Sequence, residues 1–389
     1  METIVSSTDA YTEKVKQLAS AFARTAAERD RLGDTPKAER DQLRASGLLK
    51  LIIPSQYGGM GAKWPEALWA VREIAKADSS LAHVFGYHHL QLATPHFYGT
   101  PAQRAHYYRE TAEKNWFWGN AINPKDTRLI VSRDGDGYVL NGTKYFCSGA
   151  KDSDVLVVSA VSDGDRRPHL FVLPSNRTGI IFHDDWNGMG QRQTDSGSVS
   201  FHSVRVQPDE HLCQLGTNGS PFATLRTVLT QLIMTHIFVG IAEGALEEAK
   251  KYTHQTAHVR KGDVLEDPYI LRHYGELWSR CHAAGQITNH AAEVFQWAWE
   301  QQFDLTDEQR GKAAVTVYAA KVTAIKVALH VTNRMFDVMG ARAADEKYRF
   351  DRYWRNIRTF SLHDSIDVKL RELGAYFLND TYPVSGFYS

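Results

Sequence analysis

The chain holds 389 residues, 43% hydrophobic and 23% charged, with 45 basic side chains balancing 45 acidic ones. That length exceeds what one hydrophobic core ordinarily serves, so two or three packed subdomains are expected. A net charge of zero excludes the basic footprint of a nucleic-acid or anionic-lipid binder. The opening METIVSSTDAYTEK has neither the basic start nor the apolar core of a signal peptide. The most apolar stretch, Val228–Ala245, is broken by Gln231, Thr235 and His236, whereas a membrane span needs ~20 largely apolar residues. It reads as a buried helix, and the protein as cytoplasmic with no membrane partner.

To about Asn115 the pattern is helical. Val15, Leu18, Ala19, Phe22 and Ala26 recur at helix spacing, Pro36 suits the first turn of a second helix, and Thr100 to Gln103 forms a capping box. From Trp116 to Ser220 the period shortens. Tyr138–Leu140 and Lys144–Phe146 flank Asn141-Gly142, a hairpin-turn signal. Val155–Val161, His169–Leu173 and Gly179–Phe182 are short β-branched or aromatic runs, and His202-Ser203 shifts the alternation between Val199/Phe201 and Val204/Val206. Long helices return at Leu225–Tyr252, Pro268–Phe295, Thr306–Met339 and Ser365–Leu378, with Gly240 and Gly244 four apart to allow close helix packing. The expected fold is α+β: an N-terminal helical domain (1–115), a β-barrel or sandwich domain (116–220) and a C-terminal helix bundle (221–389) with an aromatic tail.

A dinucleotide fingerprint is absent. Gly59-Met60-Gly61 and Gly188-Met189-Gly190 each supply two glycines, but Trp64 and Gln193 stand at the third position, and neither run opens a helix after a strand. A bound nicotinamide is therefore not the obvious redox carrier. His88-His89 has no partner at ligand spacing, and Cys147, Cys213 and Cys281 show no CxxC pair, so no metal site or disulfide frame is expected.

Four stretches in order, Pro54–Gly61 with the helix Trp69–Asp78, Asn141–Ser148, Met189–Val206 and Gly240–Ala249, resemble the acyl-CoA dehydrogenase superfamily. FGYHH (Phe85–His89), NWFWGNA (Asn115–Ala121), FCSGAKDSD (Phe146–Asp154), DDWNGMGQRQTDSGS (Asp184–Ser198), DPYILRHYGE (Asp267–Glu276) and YWRNIRTFSLHD (Tyr353–Asp364) narrow the likeness to the flavin-dependent monooxygenase branch. The family's catalytic glutamate is replaced by His363-Asp364, and Asn123–Arg128 departs from the thioester-binding pattern. The resemblance implies a two-component enzyme. Reduced FMN, with FAD left open, would come from a separate NAD(P)H-flavin reductase. With O2 it would form a flavin C4a-hydroperoxide and oxygenate a small aromatic heterocycle, at sulfur (dibenzothiophene-like) or at a ring carbon (indole-like). A homotetramer is implied as well.

By resemblance, Ser148 lies at flavin N5, and Phe146, two residues earlier on the same strand face, lies against the ring. Asn120 donates to the flavin edge or bound oxygen, Trp186 packs beside flavin or substrate, and Arg272 and Arg342 hold the phosphate, as the planar guanidinium fork suits. His363, Tyr87 and His83 are the candidates for proton handling, since an imidazole titrates near ~6.5. Each has an ordinary alternative: Ser148 as a satisfied turn serine, Phe146 as core, Asn120 as a loop cap, Trp186 as a domain wedge, the arginines as surface ion pairs, the histidines as structural residues. Phe360 is apolar where the sulfur-oxidising relative is expected to carry histidine, which counts against dibenzothiophene itself. Tyr376, Phe377, Tyr382, Phe387 and Tyr388 close a pocket or form a subunit contact. Two other readings stand beside this one: a divergent acyl-CoA dehydrogenase with Asp364 as base, and a helical scaffold that has lost its flavin.

Overall fold

The computed structural model describes residues 7–123, 125–162, 165–212, 219–257 and 263–386. Pro124, Cys213, Phe387 and Tyr388 lie outside the described residues. Five helices come first: α1 (Ser7–Leu32), α2 (Lys37–Ser46), α3 (Trp64–Ala77), α4 (Ser79–Tyr98) and α5 (Pro101–Lys114). Val15, Phe22 and Ala26 are buried, as the spacing requires. Thr100 closes the expected capping box with Gln103, while Pro36 sits one residue earlier than expected, at the N-cap of α2.

Seven strands follow: β1 (Trp118–Ala121), β2 (Ile130–Asp134), β3 (Gly137–Lys144), β4 (Val155–Ser162), β5 (Asp165–Pro174), β6 (Ile180–Phe182) and β7 (Val199–Val206). They form one curled sheet in the order β1-β4-β2-β3-β7-β6, with β5 on the other edge of β4. The hairpin turn expected at Asn141-Gly142 is not there. That dipeptide lies inside β3, and the tight turn is Gly135-Asp136, between the paired residues Asp134 and Gly137. Asn141 instead faces a bulge in β7: Leu140 pairs with Val204 and Gly142 with Phe201, leaving His202-Ser203 opposite one residue. Asn141 Oδ1 accepts from Ser203 N at 2.8 Å, which holds Ser203 at φ +48°. The phase shift read in β7 is this bulge. Gly142, at φ +132°, is required because a Cβ there would lie 2.1 Å from Arg128 O.

The C-terminal half comprises α6 (Pro221–Thr256), α7 (Pro268–Glu300), α8 (Asp307–Met339), α9 (Asp351–Phe360) and α10 (Ile366–Asn379). From Phe222 to Leu246 α6 is mostly apolar and buried on nearly all sides, the mark of a central core helix. Gly240 and Gly244 let it touch α3: a Cβ at Gly240 would lie 2.6 Å from Ala75 Cβ, and one at Gly244 2.1 Å from Lys76 O. The main core joins α1–α9, β1, β4 and β5, and a second cluster fills the curl of the sheet.

Candidate functional site

Helix α4 carries the site. Asp78 caps it, accepting from Ser80 N (2.9 Å) and Leu81 N (3.1 Å). His83, Tyr87 and Gln91 then recur every fourth residue, which stacks them along one stripe. The His83 ring lies flat on Phe360, at the end of α9, with centroids 4.3 Å apart and planes 19° apart. Tyr87 meets His83 edge-on at 4.3 Å, and Phe238 of α6 meets Phe360 at 5.4 Å. Both His83 nitrogens and the Tyr87 hydroxyl are buried and make no hydrogen bond within the protein. Burial drives the His83 pKa down to about 3, helped by His363 and opposed by the Gln191 amide. Burial also raises the Tyr87 phenol, Asp364 adding to the effect. Unmade hydrogen bonds in a dry pocket are costly. Here they sit beside the rings of Phe360 and Phe238, a setting that suits a flat apolar molecule carrying a polar atom.

His363 follows Phe360 in the turn after α9, 43% exposed at its side chain, with Nδ1 3.4 Å from Asp364 Oδ1. Asp364 faces inward. Its Oδ2 accepts from Lys321 Nζ of α8 at 3.0 Å and from Gln231 Nε2 of α6 at 2.7 Å, and Lys321 also donates to Gln231 Oε1. Burial works against the carboxylate, but the bonds from His363 and Lys321 outweigh it and hold the acid far below the usual carboxylate range. A carboxylate so tied is a poor proton acceptor, which argues against Asp364 as the base of a dehydrogenase.

Facing α4 across the cleft are the end of β1 and the turn after β3. Asn120 in β1 accepts at Oδ1 from Gln91 Nε2 (2.9 Å) and Ile122 N (3.1 Å), and its Nδ2 donates to Phe146 O at 3.3 Å. It bridges strand, helix and turn as well as capping the loop after β1 through the Ile122 N–H. Ser148 Oγ lies 2.8 Å from Ser196 Oγ, which lies 2.7 Å from Thr194 Oγ1. Phe146 corrects the expectation of a shared strand face. The strand stops at Lys144, Phe146 turns left-handed at φ +60°, and its ring is 59% exposed while Ser148 is buried. The Phe146 ring stands edge-on to Trp186 at 6.3 Å, and Trp186 Nε1 donates to Gln191 O at 2.8 Å. An exposed aromatic ring beside hydroxyls and buried unpaired polar groups fits a flavin ring.

Arg272 and Arg342 are not brought to this cleft. Both are exposed, Arg272 in the first turn of α7 and Arg342 just beyond α8. Along α8, Met339 lies 18 residues from Lys321, ~27 Å at the helical rise. Sequence reasoning missed Gln91, Gln231 and Lys321. Gln91 was signalled by its place four residues after Tyr87, and Lys321 by being the one charged residue in Val315–Ile325. His88, by contrast, is a satisfied core histidine: Nδ1 accepts from Trp118 N (3.1 Å) and Nε2 donates to Leu49 O (2.7 Å).

Family models for the acyl-CoA dehydrogenase N-terminal, middle and C-terminal domains match residues 7–115, 120–204 and 232–368. The chain belongs to the acyl-CoA dehydrogenase family, and within it to the flavin-dependent monooxygenase branch. It is 48% identical to the "Probable FMNH2-dependent monooxygenase SfnC" of Pseudomonas putida, over 96% of each chain. It is 42% identical to the dibenzothiophene monooxygenase of Rhodococcus erythropolis, over 96% of this chain and 94% of that one. Among solved structures, the methanesulfinate monooxygenase MsuC of Pseudomonas fluorescens superposes with a TM-score of 0.94 at 48% identity, covering 97% of this chain and 99% of that one. The complex of TdsC from Paenibacillus sp. A11-2 with FMN and indole gives 0.93 at 41% identity, with the same coverage.

Proposed function

We propose that the chain is a two-component flavin-dependent monooxygenase that receives reduced FMN from a separate NAD(P)H-flavin reductase in the cytoplasm. It oxygenates a small, flat heterocycle, at sulfur in preference to a ring carbon. The observation carrying this reading is the pair of buried, unpaired groups, His83 and Tyr87, against the Phe360–Phe238 wall, with Asp364 locked to Lys321. The relatives named for dibenzothiophene and methanesulfinate favour sulfur.

Phe146, Trp186, Ser148 and Asn120 would hold the isoalloxazine ring, which when reduced supplies two electrons to O2, so that one oxygen atom enters the substrate and the other leaves as water. His83, kept neutral by burial, and Tyr87 orient the substrate and exclude water. His363, half in solvent, carries the proton between the cleft and bulk. Arg272 and Arg342, both exposed, would hold the flavin phosphate, in a homotetramer by reaching that of a neighbouring copy. The exposed Phe377, Leu378 and Val384 of the C-terminal tail supply apolar area for such an assembly.

Purified protein mixed with reduced FMN and oxygen in a stopped-flow instrument is expected to show a transient absorbance distinct from that of oxidised FMN. With a reductase and a panel of indole, thiophenes and an alkanesulfinate, oxygenated product is expected. A direct return to oxidised FMN, with no transient and no product, refutes the reading.

A further inference from the structure

Behind Asn120 runs a line of buried polar groups. Arg226 of α6 is buried. Its Nη2 donates to Gln91 Oε1 at 2.9 Å, and its Nε donates to Thr94 Oγ1 at 2.9 Å. The Thr94 proton is already committed to Leu90 O at 3.0 Å, so that hydroxyl is free to accept. Gln91, wholly buried, then donates from Nε2 to Asn120 Oδ1.

The direction of this line is fixed by its first member. A guanidinium only donates, so Gln91 must turn its oxygen to Arg226 and its NH2 to Asn120. Asn120 is fixed twice, because the backbone N–H of Ile122 also ends on Oδ1 at 3.1 Å. A flipped Asn120 amide would set its NH2 against two donors at once. The two Nδ2 hydrogens are therefore left on the side of the Phe146–Ser148 turn. One reaches Phe146 O at 3.3 Å, and the other has only Ile122 O, at 3.5 Å, the outer limit of a hydrogen bond.

We propose that Arg226 and Gln91 are positioning residues: a one-way chain of hydrogen bonds from a buried arginine sets the Asn120 amide so that it offers an N–H to the flavin. The inference rests on the flavin reading above. Neither residue touches the cofactor; both act through Asn120. Three elements distant in sequence, α6, α4 and β1, thus fix the polarity of one amide that would otherwise be free to turn.

Gln91→Glu isolates the effect. The glutamate still accepts from Arg226, so its melting temperature should stay close to that of the parent. It cannot donate to Asn120 Oδ1, so the amide loses its orientation. Apoprotein would be titrated with oxidised FMN, following both affinity and the visible flavin band. Gln91→Glu and Asn120→Asp are each expected to weaken FMN by about tenfold and to shift the band alike, the scale of one hydrogen bond left unmade. In an Asn120→Ala background, Gln91→Glu should add nothing, since coupled residues are non-additive. Asn120→Asp also serves if Gln91→Glu does not fold, because it keeps both acceptor bonds and replaces the donor by a carboxylate oxygen. Parent-like FMN binding by Asn120→Asp, or by a folded Gln91→Glu, overturns the proposal. So does a Gln91→Glu penalty that persists undiminished on Asn120→Ala. Failure of the parent protein to bind FMN would instead sink the flavin reading itself.

Discussion

Acid should unfold this protein well before its carboxylates titrate, because several histidines are buried in neutral form. Burial lowers the pKa of His83 and His236 to about 3, that of His88 and His96 to about 4, and that of His89 well below the ordinary value. In the unfolded chain each returns to ~6.5. Below that value the unfolded state binds protons that the native state refuses, so stability is intact at neutral pH and falls as the pH drops. Integrating between pH 7 and 5.5 gives ~1.2 kcal/mol for each histidine and ~6 kcal/mol for the five together, comparable to the whole ~5–15 kcal/mol of a typical fold. The depressed Asp364 does not enter this window, because its contribution is lost only as the pH falls from the ordinary carboxylate range toward its much lower folded value. Urea midpoints measured between pH 7.5 and 5.5 should fall steeply, and unfolding at pH 5.5 should take up four to five protons at these five histidines and about one more at His211, whose pKa burial lowers to about 4. His236→Leu should remove one proton from that count. Stability that stays level to pH 5.5, or uptake of fewer than about two protons, would refute the view that these rings are held neutral by the fold.

The Lys321–Asp364 pair gives a second test. Asp364→Asn strands a buried ammonium, so unfolding free energy should drop by ~3–5 kcal/mol, while adding Lys321→Met should restore most of it; a single variant within about 1 kcal/mol of the parent in urea melts would mean the pair is not the anchor of the His363 turn. At the α3–α6 crossing, Gly244→Ala pushes a methyl against the Lys76 carbonyl and should cost ~1–3 kcal/mol. Gly275→Ala in α7 meets nothing within 4 Å and should raise the melting temperature, by up to ~1 kcal/mol in helix propensity.

What the sequence made legible follows how local each determinant is. The Thr100–Gln103 box and the four-residue spacing of Gly240 and Gly244 act within one helix, so the residues themselves specify them. Asn141-Gly142 shows the opposite case. Its turn propensity is real, but six residue pairs with β7 outweigh it, and the flexible dipeptide is used to pass a bulge and to let Arg128 O approach. Phe146 was misplaced for the same reason, since where a strand ends depends on its partner. At the site, His83, Tyr87, Asn120, Ser148 and His363 stood out because their side chains can do chemistry. Gln91, Arg226, Gln231 and Lys321 did not, because a glutamine or a lysine in a helix ordinarily faces water and only the packed fold reveals that these do not. Arg272 and Arg342 mark the remaining step. Their motif is legible in the sequence, whereas the fold leaves both exposed, unlike Gln91 and Lys321, whose burial is what marks them.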